Sequence, residues 1–254
     1  METIKAVFSY TFREHVRHKV WLSAALFGLI LLTGALVTSA LAQDESARMM
    51  LDLGLAANEI IGLVTIVYLT VHLILQEIES RAVYLILTHP VRRSDYLLGR
   101  FLGTLAAVAL AMAVMGLAHW ALLKAVGWNG DGDYLLAWAC SLGKVAIMGA
   151  LSLLLSLTLT SEAAAMAFAT FFWILGHFTA EMRFLADKAA SVPARALLEI
   201  VSHAAPDFAH LNYRDALHAA TPTAGWTGAA AVYVLGYCAV CLALSVQVFE
   251  QKEF

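Results

Sequence analysis

The sequence predicts an all-α, polytopic membrane protein with six transmembrane helices in one domain that spans residues 1–254. The chain is 61% hydrophobic and only 14% charged, and its mean hydropathy is +0.76. A soluble domain carries roughly 25% charged residues, so this chain has too few charges to cover a soluble globule. Several of its apolar runs reach the ~20 residues that a helix needs to cross a bilayer core.

Six apolar runs define the predicted spans, and two amphipathic or mixed segments flank them. The residues before the first run combine apolar and basic side chains, which predicts a helix lying in the cytoplasmic interface. The segment before the last run is interrupted by prolines, which predicts short helices at the outer surface rather than a seventh span. The spans are 20–41, 56–75, 102–123, 136–157, 163–178 and 226–246, the interfacial helix is 1–19, and the outer segment is 179–225.

The distribution of Lys and Arg predicts the orientation. The N-terminal stretch carries four basic residues and the segment 76–101 carries four more, whereas the two short loops on the other side have only Arg48 and Lys124. Short loops rich in Lys and Arg stay in the cytoplasm. We therefore expect both termini and the segment 76–96 to be cytoplasmic.

Charge and cysteine usage exclude several classes of function. A net charge of −3 with no basic block argues against a nucleic-acid partner. The three cysteines lie inside apolar runs, so the sequence predicts no disulfide framework. His203, His210 and His218 are spaced more loosely than a usual zinc motif, so the sequence predicts no metal site there.

The most informative segment joins the second and third spans. Residues 76–90 have the pattern of a short amphipathic helix with Glu77 and Glu79 in its first turn, where acids suit the helix dipole. Pro90 ends this helix, because the residue before a proline disfavours helical geometry. The next helix then starts with Ser94, or the residue after it, as its N-cap.

This segment resembles the signature of a known family. The pattern Glu77-x-Glu79-x-Arg81, a hydrophobic run, and then Pro90-Val91-x-Arg93-x-x-Tyr96-Leu97-Leu98-Gly99-Arg100-x-x-Gly103 is similar to that of type-2 ATP-binding-cassette (ABC) transporter permeases. In that family the segment includes a coupling helix that contacts a separate ATPase. The resemblance implies a non-catalytic permease subunit that forms the pathway for ATP-driven export across the bacterial inner membrane.

The resemblance also implies partners and site residues. ATP and Mg²⁺ would bind to the partner ABC ATPase, and the chain itself has no Gly-x-x-x-x-Gly-Lys-[Ser/Thr] phosphate loop. A second permease copy, or a related permease, would complete the pathway. Gly99 and Gly103 are spaced for close helix packing. The residues expected to couple the permease to the ATPase are Glu77, Glu79, Arg81, Tyr84, Leu85, Pro90 and Arg93.

Ionisable residues inside the predicted spans support a second hypothesis. Such residues are functional candidates by default, because a charge in the bilayer is costly. Glu59 and Lys144 could line a pathway, or they could reach the membrane surface. The alternative function is an ATPase-independent scaffold or intramembrane enzyme with an active site among Glu59, Lys144, His72, His119 and His177. These five residues are scattered over four helices, so the sequence indicates no single site.

Overall fold

The computed structural model describes residues 2–18, 20–41, 46–80, 92–189, 191–213 and 224–251. Within these ranges the chain is all-α, with no strand, so the predicted fold class is confirmed. The helices are α1 (Glu2–His18), α2 (Val20–Leu41), α3 (Ser46–Glu79), α4 (Arg93–Ala125), α5 (Asp131–Thr158), α6 (Glu162–His177), α7 (Thr179–Lys188), α8 (Val192–Ala204), a 3-10 helix (Phe208–Leu211) and α9 (Ala224–Gln251).

Several of these helices can cross a membrane. Among the described residues, α3, α4, α5 and α9 are each long and apolar enough, and α6 with α7 would form a fifth, broken span. The helix α2 has 22 residues and contributes the described apolar stretch Leu22–Leu31. A multi-pass membrane protein follows from these lengths, whereas the count of six spans stays a prediction.

The core of the bundle is the packing of α5 against its neighbours. The helix α5 contacts α3, α4, α6 and α9, and Ile147, Met148 and Ala150 on it are fully buried. In contrast to α5, the helix α9 has exposed apolar side chains, and Val232 and Leu235 on it are more than two-thirds exposed. Apolar side chains exposed on such a helix are suited to lipid or to another membrane protein. The helix α5 is therefore enclosed by its neighbours, whereas α9 at the edge of the bundle has an exposed apolar surface.

The helix α3 corrects the sequence interpretation of residues 76–79. It runs without a break to Glu79, so these residues form the last turn of a long helix and not the first turn of a separate one. Hydropathy marks where a helix leaves the bilayer, but the backbone hydrogen bonds can continue beyond that edge. The acids therefore lie at a helix C-terminus, where the dipole disfavours negative charge. A buried acid there needs a compensating cation, which the structure supplies for Glu77.

The next helix also starts earlier than predicted. Its first residue is Arg93, and its N-cap is Arg92, which makes no side-chain capping bond. Ser94 therefore lies inside the first turn and is not the N-cap. The predicted coupling residues Arg81, Tyr84, Leu85 and Pro90 fall between α3 and α4, outside the described residues.

The chain bends sharply after α6. The axes of α6 and α7 differ by 69° across a break at Phe178. The described residues up to Tyr213 continue as α7, α8 and the 3-10 helix, each too short to cross a bilayer alone. Their position on the outer side of the membrane stays a prediction.

Candidate functional site

The N-terminal helix packs closely along the first turns of α4. A methyl group added to Gly99 would lie 2.7 Å from the Cβ of Val7, and one added to Gly103 would lie 2.7 Å from the Cβ of Thr11. No side chain fits at either position without moving α1 away. The apolar face of α1, predicted to lie in the membrane interface, is therefore used for contact with α4.

Arg100 lies under this contact and joins three helices. It is 5% exposed, and it donates hydrogen bonds to Thr11 Oγ1 at 3.0 Å and to Glu14 Oε2 at 3.3 Å. Its other terminal nitrogen donates to Glu77 at the end of α3. The hydroxyl of Tyr96 also donates to Glu77. Arg100 is thus the cation that offsets an acid at the C-terminus of α3.

Aromatic rings and carboxylates surround the Arg100 guanidinium. The rings of Tyr10 and Tyr96 have their centroids 5.2 and 5.6 Å from its central carbon, within the range of a cation–π contact. Two carboxylates, Glu14 and Glu77, share this one cation. The buried Nε atom of Arg100 has no hydrogen-bond partner in the described part of the chain.

Arg93 ties the start of α4 to the C-terminal end of α9. Its Nη1 donates to the carbonyl oxygen of Phe249 at 2.7 Å and to that of Glu250 at 3.2 Å. The Tyr96 and Phe249 rings stack with centroids 6.0 Å apart. The end of α3, the start of α4, the end of α9 and the helix α1 are therefore joined by side-chain contacts. We call the residues that join them the coupling junction: Thr11, Glu14, Glu77, Arg93, Tyr96 and Arg100.

The coupling junction contains some of the predicted coupling residues and adds others. Glu77 and Arg93 have internal partners there, whereas Glu79 is exposed. Arg100 and Tyr96 belong to the family-like motif, but neither of them is among the predicted coupling residues. Their spacing of four residues places them on one face of a helix, which is the signal that could have identified them as a unit.

A second group of polar residues lies between α3, α5 and α6. Lys144 Nζ is 3.0 and 3.1 Å from the two carboxylate oxygens of Glu59 and 3.4 Å from Asn212 Oδ1. Ser141 donates to Glu59 at 3.2 Å, and His177 Nε2 lies 3.6 Å from the same carboxylate. We call these five residues the outer network. It connects the bundle to the segment that follows the 3-10 helix.

The outer network corrects two sequence interpretations. Glu59 and Lys144 are 8% and 4% exposed, so neither is a solvated interfacial charge. Three of the five residues proposed for an intramembrane site, Glu59, Lys144 and His177, come together after all. Sequence could not show this, because Glu59 and Lys144 are separated by 85 positions in the chain.

The other two candidate histidines lie elsewhere. His72 Nδ1 is 2.9 Å from Glu162 Oε1, in a pair that joins α3 to the start of α6. His119 contacts the Tyr134 hydroxyl and the Met50 carbonyl oxygen, both at 3.1 Å. Each histidine has its own local partners, and neither faces the outer network.

Asp207 holds the bend after α6. Its carboxylate accepts from Thr179 Oγ1 at 2.9 Å and pairs with Arg183 at 3.0 Å, and its backbone N–H donates to the Tyr233 hydroxyl at 2.6 Å. His210 lies 4.0 Å from it. These contacts fix the 3-10 helix between α7 and α9. The described residues include no group of three or more metal-ligating side chains.

Comparison with known proteins identifies the family. No curated protein matches the chain. A family model described as ABC-2 family transporter protein matches residues 6–254, which is nearly the whole chain and includes the coupling junction. This match confirms the resemblance found in the sequence, and the chain belongs to the ABC-2 family as a membrane permease subunit of an ABC transporter.

Proposed function

We infer that this permease drives export by coupling its helices to a separate ABC ATPase through residues 76–96. The observation that carries the proposal is the coupling junction, in which Arg100 connects the end of α3, the start of α4 and the N-terminal helix. ATP and Mg²⁺ bind to the partner ATPase. Both termini lie in the cytoplasm, and the membrane is the bacterial inner membrane.

The coupling junction supports a division of roles among the predicted residues. Glu77 is held inside the protein by Arg100 and Tyr96, so it positions the segment that follows it. Glu79 is exposed and is free to make a charge contact with the ATPase, together with Arg81. Tyr84 and Leu85 supply apolar docking, Pro90 fixes the bend, and Arg93 passes the movement to the end of α9.

Rigid helices can carry the movement across the membrane. Closure of the ATPases on ATP displaces residues 76–96, which we call the coupling segment. The helices α3 and α4 move with this segment because they include its two ends. Glycine packing moves α1 with α4. A switch between inward-facing and outward-facing states by such rigid-body movement is an alternating-access mechanism.

The pathway lies between this chain and a second permease copy. The His72–Glu162 pair joins α3 to α6 on the outside of the bundle, and its side chains are 28% and 39% exposed. Polar side chains on the outside of a membrane bundle need a protein or aqueous neighbour, because lipid cannot hydrogen-bond to them. A second copy facing α3 and α6 would provide that neighbour.

The alternative of an ATPase-independent enzyme or scaffold gains no support from the outer network. Lys144 donates to both carboxylate oxygens of Glu59 and to Asn212, and Ser141 and His177 also contact Glu59. A catalytic group needs an atom free to meet a substrate. The arrangement is instead that of a buried salt bridge that joins structural elements.

Co-purification tests the proposal most directly. The chain is tagged at its C-terminus, extracted from its native membrane in a mild detergent, and its partners are identified by mass spectrometry. We expect an ABC ATPase in stoichiometric amount. Repeated isolation without any ATPase, in two detergents and after crosslinking in the membrane, would exclude the coupled-permease function.

Two substitutions test the coupling segment itself. Glu79→Ala or Arg81→Ala should leave the complex assembled while ATP hydrolysis no longer drives transport in proteoliposomes. Glu199→Ala, which removes an exposed acid from α8, is the matched control and should transport normally. Normal transport in both coupling variants would remove these residues from the coupling role.

A further inference from the structure

The outward face of α1 carries basic residues that the coupling junction does not use. The opposite face is occupied by contact with α4, where His15 Nε2 lies 3.1 Å from Thr104 Oγ1. Ser9, Tyr10, Arg13 and Arg17 lie outside this contact, and all four are exposed. With Ala6 and Glu14, which are also on α1, they line the described side of an open cavity of about 510 Å³.

This surface has a net positive charge, because it carries two arginines and one acid. Glu14, the acid beside the two arginines, is directed to Arg100 at 3.3 Å. Arg13 and Arg17 have no ion-pair partner among the residues that the structure describes. They are four positions apart, so they lie about one turn apart on the same face of the helix. The pair therefore presents two guanidinium groups side by side.

The position of the pair in the chain places it beside the membrane. The helix α1 ends at His18, and the apolar helix α2 begins at Val20. Arg17 is thus three residues from the start of a 22-residue apolar helix. Basic residues so close to the cytoplasmic end of a span lie at the level of the lipid headgroups.

We propose that Arg13 and Arg17 bind the phosphate of an anionic phospholipid of the cytoplasmic leaflet. Two guanidinium groups can donate several hydrogen bonds to one phosphate, and their planar geometry suits its oxygens. The hydroxyl groups of Ser9 and Tyr10 line the same cavity and add donors for the headgroup. The proposal uses the cytoplasmic N-terminus of the proposed function, but it does not require the ATPase.

The bound lipid would also affect the coupling junction. Tyr10 lies both in the cavity and over the Arg100 guanidinium, 5.2 Å from its ring centroid. Glu14 likewise lines the cavity and binds Arg100. A headgroup seated on α1 would hold these two side chains in place. The lipid site therefore belongs to the same structural unit as the segment that contacts the ATPase.

Native mass spectrometry of the full chain tests the site. The protein is purified with any co-purifying subunits, supplied with equal amounts of phosphatidylglycerol and phosphatidylcholine, and the retained lipids are counted. We expect preferential retention of phosphatidylglycerol, and Arg13→Gln/Arg17→Gln should weaken it by roughly ten- to thirty-fold, since each basic residue near an anionic surface contributes about a factor of five. Arg13→Lys/Arg17→Lys keeps both charges and should retain part of the preference for phosphatidylglycerol. Retention in this variant would show that substitution at these two positions leaves the protein folded.

Two controls separate this site from a general effect of charge and from a site for free anions. Lys188→Gln/Arg195→Gln removes the same charge from α7 and α8 and should not change lipid retention. An equal loss of retention in this variant would overturn the proposal in favour of net charge alone.

Inorganic phosphate should not displace the lipid, and displacement would identify a free-anion site instead. Unchanged lipid retention in Arg13→Gln/Arg17→Gln would overturn the proposal, and loss of a co-purifying ATPase in the same variant would assign the surface to protein docking. Absence of an ATPase from all preparations would leave the lipid result intact.

Discussion

The coupling junction and the outer network are both built around one buried cation, yet they are constructed differently. In the outer network, Lys144 pairs with one carboxylate, Glu59, and its other contacts are neutral. In the coupling junction, Arg100 is shared by Glu77 and Glu14, and its Nε atom is left without a partner among the described residues. The outer network is closed, whereas the coupling junction has both excess acid and an unused donor.

This difference indicates which region can rearrange. A closed, buried ion pair resists separation, because each charge would lose its ion-pair partner in a low-dielectric environment. A shared cation can exchange one acid for another with a smaller change in energy. Glu14 is 43% exposed on its side chain, so water is available to replace Arg100 there. We therefore expect movement at the coupling junction and rigidity at the outer network.

The largest expected effect comes from opening the outer network. Lys144→Met would leave Glu59 buried without its cation and should lower the free energy of unfolding by about 3–5 kcal/mol. Thermal unfolding in detergent, followed by tryptophan fluorescence, measures the change. Glu59→Gln/Lys144→Met removes both charges and should recover most of the loss. If Lys144→Met unfolds like the wild type, the outer network is not the rigid region.

The coupling junction should tolerate loss of its cation somewhat better. Arg100→Met should cost about 2–3 kcal/mol, less than loss of Lys144, because Tyr96 still donates to Glu77 and Glu14 can turn to water. It should also release α1 from α4, which limited proteolysis of the N-terminal helix would detect. Arg100→Lys keeps the charge and should protect α1 in part, and Arg92→Gln, at an exposed site, should have no effect. Equal proteolysis of wild type and Arg100→Met would contradict the shared-cation description.

The two regions were not equally visible in the sequence. The coupling segment was recognised because its residues lie close together in the chain and form a motif. Even there, the predicted start of a separate helix at Gln76 is wrong, because α3 continues to Glu79. The polarity at Gln76 indicates the membrane edge and not the end of the helix. The outer network was missed because the register between α3 and α5 depends on packing of the whole bundle. No local pattern relates Glu59 to Lys144 or to His177.

The predicted glycine pair shows the same division between local and long-range information. The spacing of Gly99 and Gly103 indicated close helix packing, and both glycines do lie at a close helix contact. The identity of the neighbour, α1, came only from the structure. Small residues at i and i+4 predict that a backbone can approach, but they carry no information about which one does.

The glycine contact supports a smaller prediction. Gly103→Ala places a methyl group 2.7 Å from the Cβ of Thr11 and 2.9 Å from the backbone oxygen of Phe8, so α1 must shift. We expect a loss of about 1–3 kcal/mol, as for other overpacked contacts, and faster proteolysis of α1. Gly236→Ala on α9 has no atom within 4 Å and should stabilise the protein slightly through helix propensity. Equal stability of the two variants would mean that α1 does not depend on this contact.

The smallest expected effect comes from an ion pair outside both regions. Lys124 Nζ and Asp131 are 2.8 Å apart at the turn between α4 and α5, and both are accessible to solvent. Water can replace either partner, so Lys124→Met should leave the thermal unfolding midpoint unchanged within the scatter that separates repeat measurements. The comparison with Lys144→Met holds the substitution constant and changes only burial. A large loss in Lys124→Met would show that this turn holds α4 against α5, and that burial alone does not set the rank of these ion pairs.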